Sequence, residues 1–114
     1  MHLYGELWKA RPEWLALEPA QRASYVEQLG PAIASLLDAG VELVGFAVTD
    51  ADVPHDANYP YAAVWRMPTL DLVHQFEAAI EAAGWHRYFE QVNARGAIQP
   101  AGDVLEHAAR AHQP

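Results

Sequence analysis

Four residues have side chains that suit acid–base chemistry: Glu6, His86, Tyr88 and Glu90. A carboxyl group among aromatic residues has a raised pKa because burial disfavours its charged form, so it exchanges protons nearer neutral pH. Histidine can carry a proton, and a tyrosine hydroxyl can donate a hydrogen bond to a developing enolate or phenolate oxygen. We therefore expect Glu6 or Glu90 to be the base, with His86 as proton carrier and Tyr88 as hydrogen-bond donor.

The alternative for these residues is a structural role in the core of a dimer interface. In that case Glu6 forms an ion pair with Arg66 or Arg87. Structural ion-pair networks perturb pKa values much as catalytic sites do, so the residue types alone do not separate the two interpretations.

Five further residues are candidates for binding a ligand: Tyr4, Trp8, His55, Tyr61 and Trp65. Aromatic walls suit a flat, largely apolar molecule. His55 lies in a long polar loop, residues 50–60, which either covers the mouth of a cavity or is simply solvated. Its acidic residues and imidazole match no strict metal-binding motif, so we expect no metal site. We also expect no organic cofactor, since the chain lacks glycine-rich phosphate-binding motifs.

The hydrophobic pattern predicts the order β-α-β-β-α-β. Strands are expected near residues 3–8 and at residues 41–49, 61–67 and 85–93, where apolar and aromatic residues alternate or cluster. One helix runs from Pro19 to Gly40, with a kink or two abutting helices at Gly30–Pro31. A second helix is capped by Thr69 and ends at Gly84. A short helix over residues 104–110 is expected in the tail.

This order is that of the ferredoxin-like α+β fold, with a four-stranded antiparallel sheet and helices on one face. The expected strand order is 4-1-3-2, so the first and fourth strands are neighbours. Residues 1–98 form the domain and residues 99–114 a C-terminal tail. The alternation places small and aliphatic residues under the helices and leaves mainly aromatic and polar ones on the open face: Tyr4, Glu6, Trp8, Tyr61, Ala63, Trp65, His86, Tyr88 and Glu90. In the fourth strand, a one-residue bulge would reverse this assignment.

An open face rich in aromatic residues needs a partner. The sequence therefore predicts a twofold homodimer whose two sheets face each other, with space between them for a small apolar or aromatic ligand.

Three stretches, residues 6–9, 63–68 and 84–93, resemble a group of small uncharacterised bacterial proteins in the dimeric α/β-barrel superfamily. The resemblance covers residues 1–98 and implies the same fold. That superfamily includes cofactor-free monooxygenases, isomerases, polyketide cyclases, haem-degrading enzymes and proteins without known activity, so the fold does not transfer a reaction. Haem-handling relatives carry an axial histidine on the second helix, where this chain has His74. The alternative for His74, which lies beside acidic residues, is a solvated surface position.

Composition limits the other classes of function. The 114 residues carry 7 Lys and Arg against 15 Asp and Glu, a net charge of −8, so nucleic acids and anionic membranes are disfavoured as partners. The absence of cysteine excludes disulfides and thiolate chemistry. Apolar runs are short and residues 1–6 do not resemble a signal peptide, so we expect a soluble cytoplasmic protein.

These observations favour a homodimeric, cofactor-independent enzyme of the monooxygenase, isomerase or cyclase type, acting on a small aromatic or polyketide-like compound. The alternatives are a non-catalytic ligand-binding or interaction module and a haem-binding or haem-degrading protein.

Overall fold

A computed structural model describes residues 1–110 of the chain. Its strands and helices follow one another as β1 (His2–Ala10), α1 (Pro12–Leu15), α2 (Pro19–Asp38), β2 (Glu42–Val48), β3 (Tyr61–Met67), α3 (Leu70–Ala82), α4 (Trp85–Tyr88), β4 (Phe89–Ala97) and α5 (Ala101–Ala109). Residues 111–114, the end of the predicted tail, lie outside the described residues.

The four strands form one antiparallel sheet in the order β2-β3-β1-β4, which confirms the predicted order and the ferredoxin-like α+β fold. The centre of the sheet is β1, which pairs with β3 on one side and β4 on the other. Glu6 lies opposite Ala63 of β3 and Asn93 of β4. A register shift between Leu43 and Gly45 marks a bulge in the edge strand β2.

The predicted assignment of the two sheet faces is wrong for β1 and β3. Tyr4, Glu6 and Trp8 are buried on the helix-covered face, as are Ala63 and Trp65. The physical reason is size. Large aromatic side chains gain most from burial, so they face the helices. Tyr61 shares this face, because it lies opposite Trp8, and their rings are 5.7 Å apart.

The open face carries the smaller residues instead. Their strand positions alternate with the buried ones, and they are mainly aliphatic residues, alanines and glycines: Leu3, Gly5, Leu7, Gly45, Ala47, Ala62, Val64, Val92, Ala94 and Gly96. Leu3, Val64 and Val92 are exposed to solvent. The same face also carries two ion pairs, Lys9 with Glu90 and Arg66 with Glu42. Within residues 1–110 this face is therefore unpartnered, and its middle is flat and aliphatic rather than aromatic.

Two predicted boundaries also differ from the structure. Residues 85–88 form the helical turn α4 rather than the start of the fourth strand, which begins at Phe89. Gly84 permits this turn because its φ of 72° lies in the left-handed region. At Pro31, α2 remains one helix of 20 residues, so two abutting helices are not formed.

The second helix and the tail agree with the sequence more closely. Thr69 caps α3, and its Oγ1 accepts a hydrogen bond from the Leu72 amide at 3.1 Å. In the tail, α5 begins three residues earlier than expected. None of the helices within residues 1–110 combines the length and the apolar character that crossing a membrane requires.

Candidate functional site

The candidate site is a cavity of about 290 Å³ between the helix-covered face of the sheet and the helices α2 and α3. An engineered cavity about half this size accommodates benzene, so the space suits a molecule of one or two rings. Its walls are aromatic residues from the sheet, α3 and α4, and small or aliphatic residues from α2 and from α3 with the residue after it: Trp8, Phe46, Trp65, Phe76 and Trp85, then Val26, Leu29, Gly30, Ala32, Ile33, Leu36, Ala79, Ile80 and Ala83.

Glu6 is the ionisable side chain of this cavity among the described residues. It lies on β1 and is only 7 % exposed. Its Oε1 accepts a hydrogen bond from Trp65 Nε1 at 2.6 Å, and its Oε2 accepts one from Gln91 Nε2 at 2.8 Å. Gln91 Oε1 in turn accepts a hydrogen bond from Trp85 Nε1 at 2.7 Å. Two cavity tryptophans and one glutamine therefore hold the carboxyl in place.

Burial raises the pKa of Glu6, because its surroundings solvate the charged form poorly. The hydrogen bonds from Trp65 and Gln91 oppose this rise, and so does the nearby charge of His86. The desolvation effect is the largest, so the net direction is upward. The carboxyl of Glu6 therefore holds its proton more tightly than usual, and it lies in the wall of an apolar cavity.

Three of the nine residues predicted for the site line this cavity: Glu6, Trp8 and Trp65. They do so from the face opposite to the one expected. The cavity lies inside the protomer, under the helices, rather than on the uncovered face of the sheet.

The other three catalytic candidates do not converge on Glu6. Glu90 lies on the open face of β4, where it pairs with Lys9 at 3.3 Å and accepts a hydrogen bond from the Tyr59 hydroxyl at 3.1 Å. Tyr88 packs its ring against Trp14 and Tyr25, beside a separate surface groove. The physical reason is the turn α4, which breaks the alternation that would align Tyr88 with Glu90.

His86 is also on α4, partly exposed at the surface, with its Nε2 3.7 Å from Glu81. It does not line the cavity. Its charge nevertheless lowers the pKa of Glu6, as a smaller effect than the hydrogen bonds, so the two residues are electrostatically linked. The predicted convergence of His86 and Glu6 on one cavity wall is absent, but the charge of His86 still affects the pKa of Glu6.

The three remaining ligand-binding candidates lie outside the cavity wall. Tyr4 is buried against Phe76, and its hydroxyl donates to Glu77 at 2.9 Å. Tyr61 packs on the outer side of Trp8. His55 is exposed in the loop after β2, with a positive φ of 57°. Within residues 1–110, no group of three or more acidic, histidine or cysteine side chains could hold a metal ion.

Sequence reasoning missed Gln91, Trp85 and Phe46 as parts of the site. Gln91 alternates with Glu90 along the strand and so falls on the helix-covered side, opposite Trp8, where a polar residue is a usable signal. Phe46 could not be placed, because the bulge in β2 decides which way it faces.

The residues present in this cavity do not fit a haem. Haem iron takes an axial histidine, cysteine, methionine or tyrosine, and the lining drawn from residues 1–110 includes none of these. His74 is exposed on α3 and is not among the cavity residues. The observed donors therefore support no haem chemistry at this site.

Known structures share the fold of this chain. It aligns with a mutant chlorite dismutase from Candidatus Nitrospira defluvii at a TM-score of 0.69, with 18 % identity over 96 % of this chain and 45 % of that one. A protein proposed to be a chlorite dismutase, TA0507, aligns at a TM-score of 0.67, with 12 % identity over 92 % of this chain and 47 % of that one. The protein of unknown function RPA0582 from Rhodopseudomonas palustris aligns at a TM-score of 0.55, with 18 % identity over 87 % of this chain and 83 % of that one.

The chain spans about half the length of the first two of these proteins, and identities this low establish the fold alone. These similarities confirm the fold that the resemblance to the dimeric α/β-barrel superfamily implies. No curated protein sequence is significantly similar to the chain. Residues 1–111 match the family of unknown function DUF6616, and the chain therefore belongs to that family.

Proposed function

We propose that this protein binds a small, flat, largely apolar molecule in the cavity under α2 and α3, and that Glu6 exchanges a proton with it without an organic cofactor. The observation that carries the proposal is the position of Glu6, a buried carboxyl in the wall of an otherwise apolar cavity. A carboxyl group that only stabilised the fold would more often meet a cation, because a buried charge is costly unless it is paired.

The neighbouring groups support a role as base. Trp65 and Gln91 each donate a hydrogen bond to Glu6, so the ionised form is held in one orientation. Burial keeps the pKa above its ordinary value, and a carboxylate with a raised pKa removes protons more readily than one in water. His86 is our candidate for passing the proton to solvent, because it lies at the surface and its charge influences Glu6.

The reaction that tests this role is the ring opening of 5-nitrobenzisoxazole, a small flat neutral probe. A carboxylate oxygen removes the proton from the ring carbon next to nitrogen. The electrons of the C–H bond form the nitrile, the N–O bond breaks, and its electrons remain on the phenolate oxygen, whose colour reports the rate. The reaction needs a base and no other reagent.

We expect a protein-dependent rate that rises with pH through the raised pKa of Glu6. Glu6→Gln should lower that rate at least about 100-fold, the lower end of what a positioned base contributes. Glu90→Gln is the matched control, since Glu90 lies on the opposite face of the sheet. An unchanged rate in Glu6→Gln, or no protein-dependent rate, would contradict Glu6 as a base. Binding of the probe without turnover would favour the non-catalytic alternative.

We also propose that the protein is a homodimer formed through the open sheet face. The support is the flat surface of Leu3, Leu7, Val64 and Val92 with glycine and alanine between them, which permits a second sheet to approach closely. The ligand then lies within each protomer rather than between the sheets.

A further inference from the structure

The helix α5 has an apolar stripe that nothing in its own protomer covers within residues 1–110. Its residues are all exposed, including Val104 and Leu105, the latter at 69 %. Together with Ala101 and Ala108 they recur at helical spacing and form one side of the helix. An amphipathic helix gains most of its stability by packing that side against something.

The direction of α5 is set by its connection to the sheet. The Ile98 amide donates a hydrogen bond to the Met1 carbonyl at 2.8 Å, and Pro100 stands directly before the helix. The chain is correspondingly extended, with a radius of gyration of 16.3 Å. A compact chain of this length would have about 13 Å. The helix α5 therefore projects away from the domain, and the residues before it fix where it begins. We call α5 the arm.

A second apolar surface without cover lies at the other edge of the sheet. Phe46 of β2 lines the cavity yet is 56 % exposed, so the cavity is open on this side. Leu43 and Val44 of the same strand are also exposed, and so is Leu37, which follows the cavity residue Leu36 near the end of α2. We call the surface of Leu37, Leu43, Val44 and Phe46 the β2 patch.

We infer that α5 of one protomer packs on the β2 patch of a second copy and closes the open side of the cavity that contains Glu6. This inference rests on the proposed pairing of the open sheet faces. A complete site then needs two chains, since each cavity is covered by the arm of the other.

The topology of the sheet supports this exchange. The strands β4 and β2 are its two edges, so a twofold axis parallel to the strands and midway between the two sheets places β4 of one copy over β2 of the other. Ala97, where β4 ends, lies opposite His2, and Glu42, where β2 begins, lies in register with Leu3 through Arg66. Both points are at the same end of the sheet, so α5 emerges over the beginning of the partner copy's β2. Leu43 and Phe46 face the helix-covered side of that sheet, and α5 reaches them by passing round the free edge of β2.

The area needed for a stable dimer points the same way. Four strands about 4.8 Å apart and on average about 26 Å long give an open face of only about 500 Å². A stable interface takes about 800 Å² from each partner. One side of α5, about 13.5 Å long and 10 Å across, supplies roughly 135 Å², and the β2 patch that receives the other arm supplies about as much. The two together account for the difference.

Cross-linking tests the contact directly, because the natural chain has no cysteine. Leu105→Cys and Leu43→Cys proteins are mixed, allowed to exchange subunits and treated with a short bismaleimide. We expect a covalent dimer containing one copy of each variant, identified by mass. The control mixture pairs Leu105→Cys with His74→Cys, an exposed position on α3, and should give far less. Equal cross-linking in both mixtures, or none in either, would overturn the inference.

Dimer affinity and ligand binding give a second measurement. By analytical ultracentrifugation, Leu105→Asp should weaken the dimer at least tenfold, and it should also weaken binding of 4-fluorotoluene followed by ¹⁹F NMR. His107→Asp adds the same charge outside the apolar stripe and should change neither. A dimer unaffected by Leu105→Asp overturns the inference but leaves the proposed function standing. A wild type that is monomeric overturns the sheet pairing and the inference together. Failure of the wild type to bind 4-fluorotoluene, with the cross-link present, removes the ligand site alone.

Discussion

Trp65 lies opposite Tyr4 in the sheet, yet its indole N–H donates a hydrogen bond to Glu6, two residues along β1, at 2.6 Å. Such diagonal pairs on one face of a sheet are within reach of long aromatic side chains. This hydrogen bond connects Trp65, a residue of the cavity wall, to Glu6, the ionisable residue of the cavity among those described. Changes at Trp65 and at Glu6 should therefore be coupled, and their pH dependence is the readout.

Glu6→Gln should alter how stability depends on pH. The pKa of Glu6 is raised in the folded state, so the folded chain holds its proton more tightly than the unfolded chain. The free energy of unfolding of the wild type should fall, relative to the variant, as pH rises from about 4.3 through the raised pKa. Thermal melts of both proteins between pH 4 and 8 measure this. A difference in melting temperature that does not change with pH would contradict it.

Trp65→Phe should move that pH window upward. The hydrogen bond from Trp65 lowers the pKa of Glu6, so its loss leaves desolvation less opposed. The buried carboxyl also loses a donor, which costs about 1–3 kcal/mol of stability. Trp14→Phe is the control, because Trp14 packs with Tyr25 and Phe89 away from Glu6. If the stability of both variants changed over the same pH range as that of the wild type, the hydrogen bond from Trp65 would not affect the pKa of Glu6.

Ala79→Leu should block the cavity. Ala79 is on the cavity side of α3, and a leucine there projects into the space without disturbing the sheet. Binding of 4-fluorotoluene, measured by ¹⁹F NMR, should weaken at least about tenfold. Ala78→Leu adds the same volume at the exposed neighbouring position and should bind as the wild type does. Equal binding by both variants would place the ligand elsewhere.

Val64→Glu should dissociate the proposed dimer. Val64 lies in the middle of the open sheet face, between Gly5 and Gly45, so a charge there would be buried without a partner in a sheet–sheet interface. The monomer should keep its fold, because Val64 faces away from the core. Sedimentation velocity measures the change, and His74→Glu on α3 is the control. A Val64→Glu protein that stayed dimeric at micromolar concentration would exclude this face as the interface.

Most element types and the strand order were predictable, because they depend on local periodicity and on the few topologies that short connections allow. The spacing of Val73, Phe76 and Ile80 marks α3, and Thr69 with Gly84 marks its ends. These signals involve residues close in sequence, and the structure follows them.

Which face of the sheet receives the helices was not predictable in the same way. Alternation separates Tyr4, Glu6 and Trp8 from Leu3 and Leu7, but it does not say which set lies under α2 and α3. That depends on contacts between residues far apart in sequence, such as those of Tyr4 and Trp65 with Phe76. The residues of the site were therefore partly identified, while their surroundings were assigned to the wrong side.

The most direct test of the account is a ¹³C NMR titration of the Glu6 carboxyl carbon, assigned with Glu6→Gln, with and without 4-fluorotoluene. The account predicts a midpoint above the ordinary glutamate value of about 4.3, because burial raises the pKa, and a further rise when the apolar ligand displaces water from around the carboxyl. A midpoint at the ordinary value that does not respond to the ligand would mean that Glu6 is solvated and separate from the cavity, and the proposed function would fall.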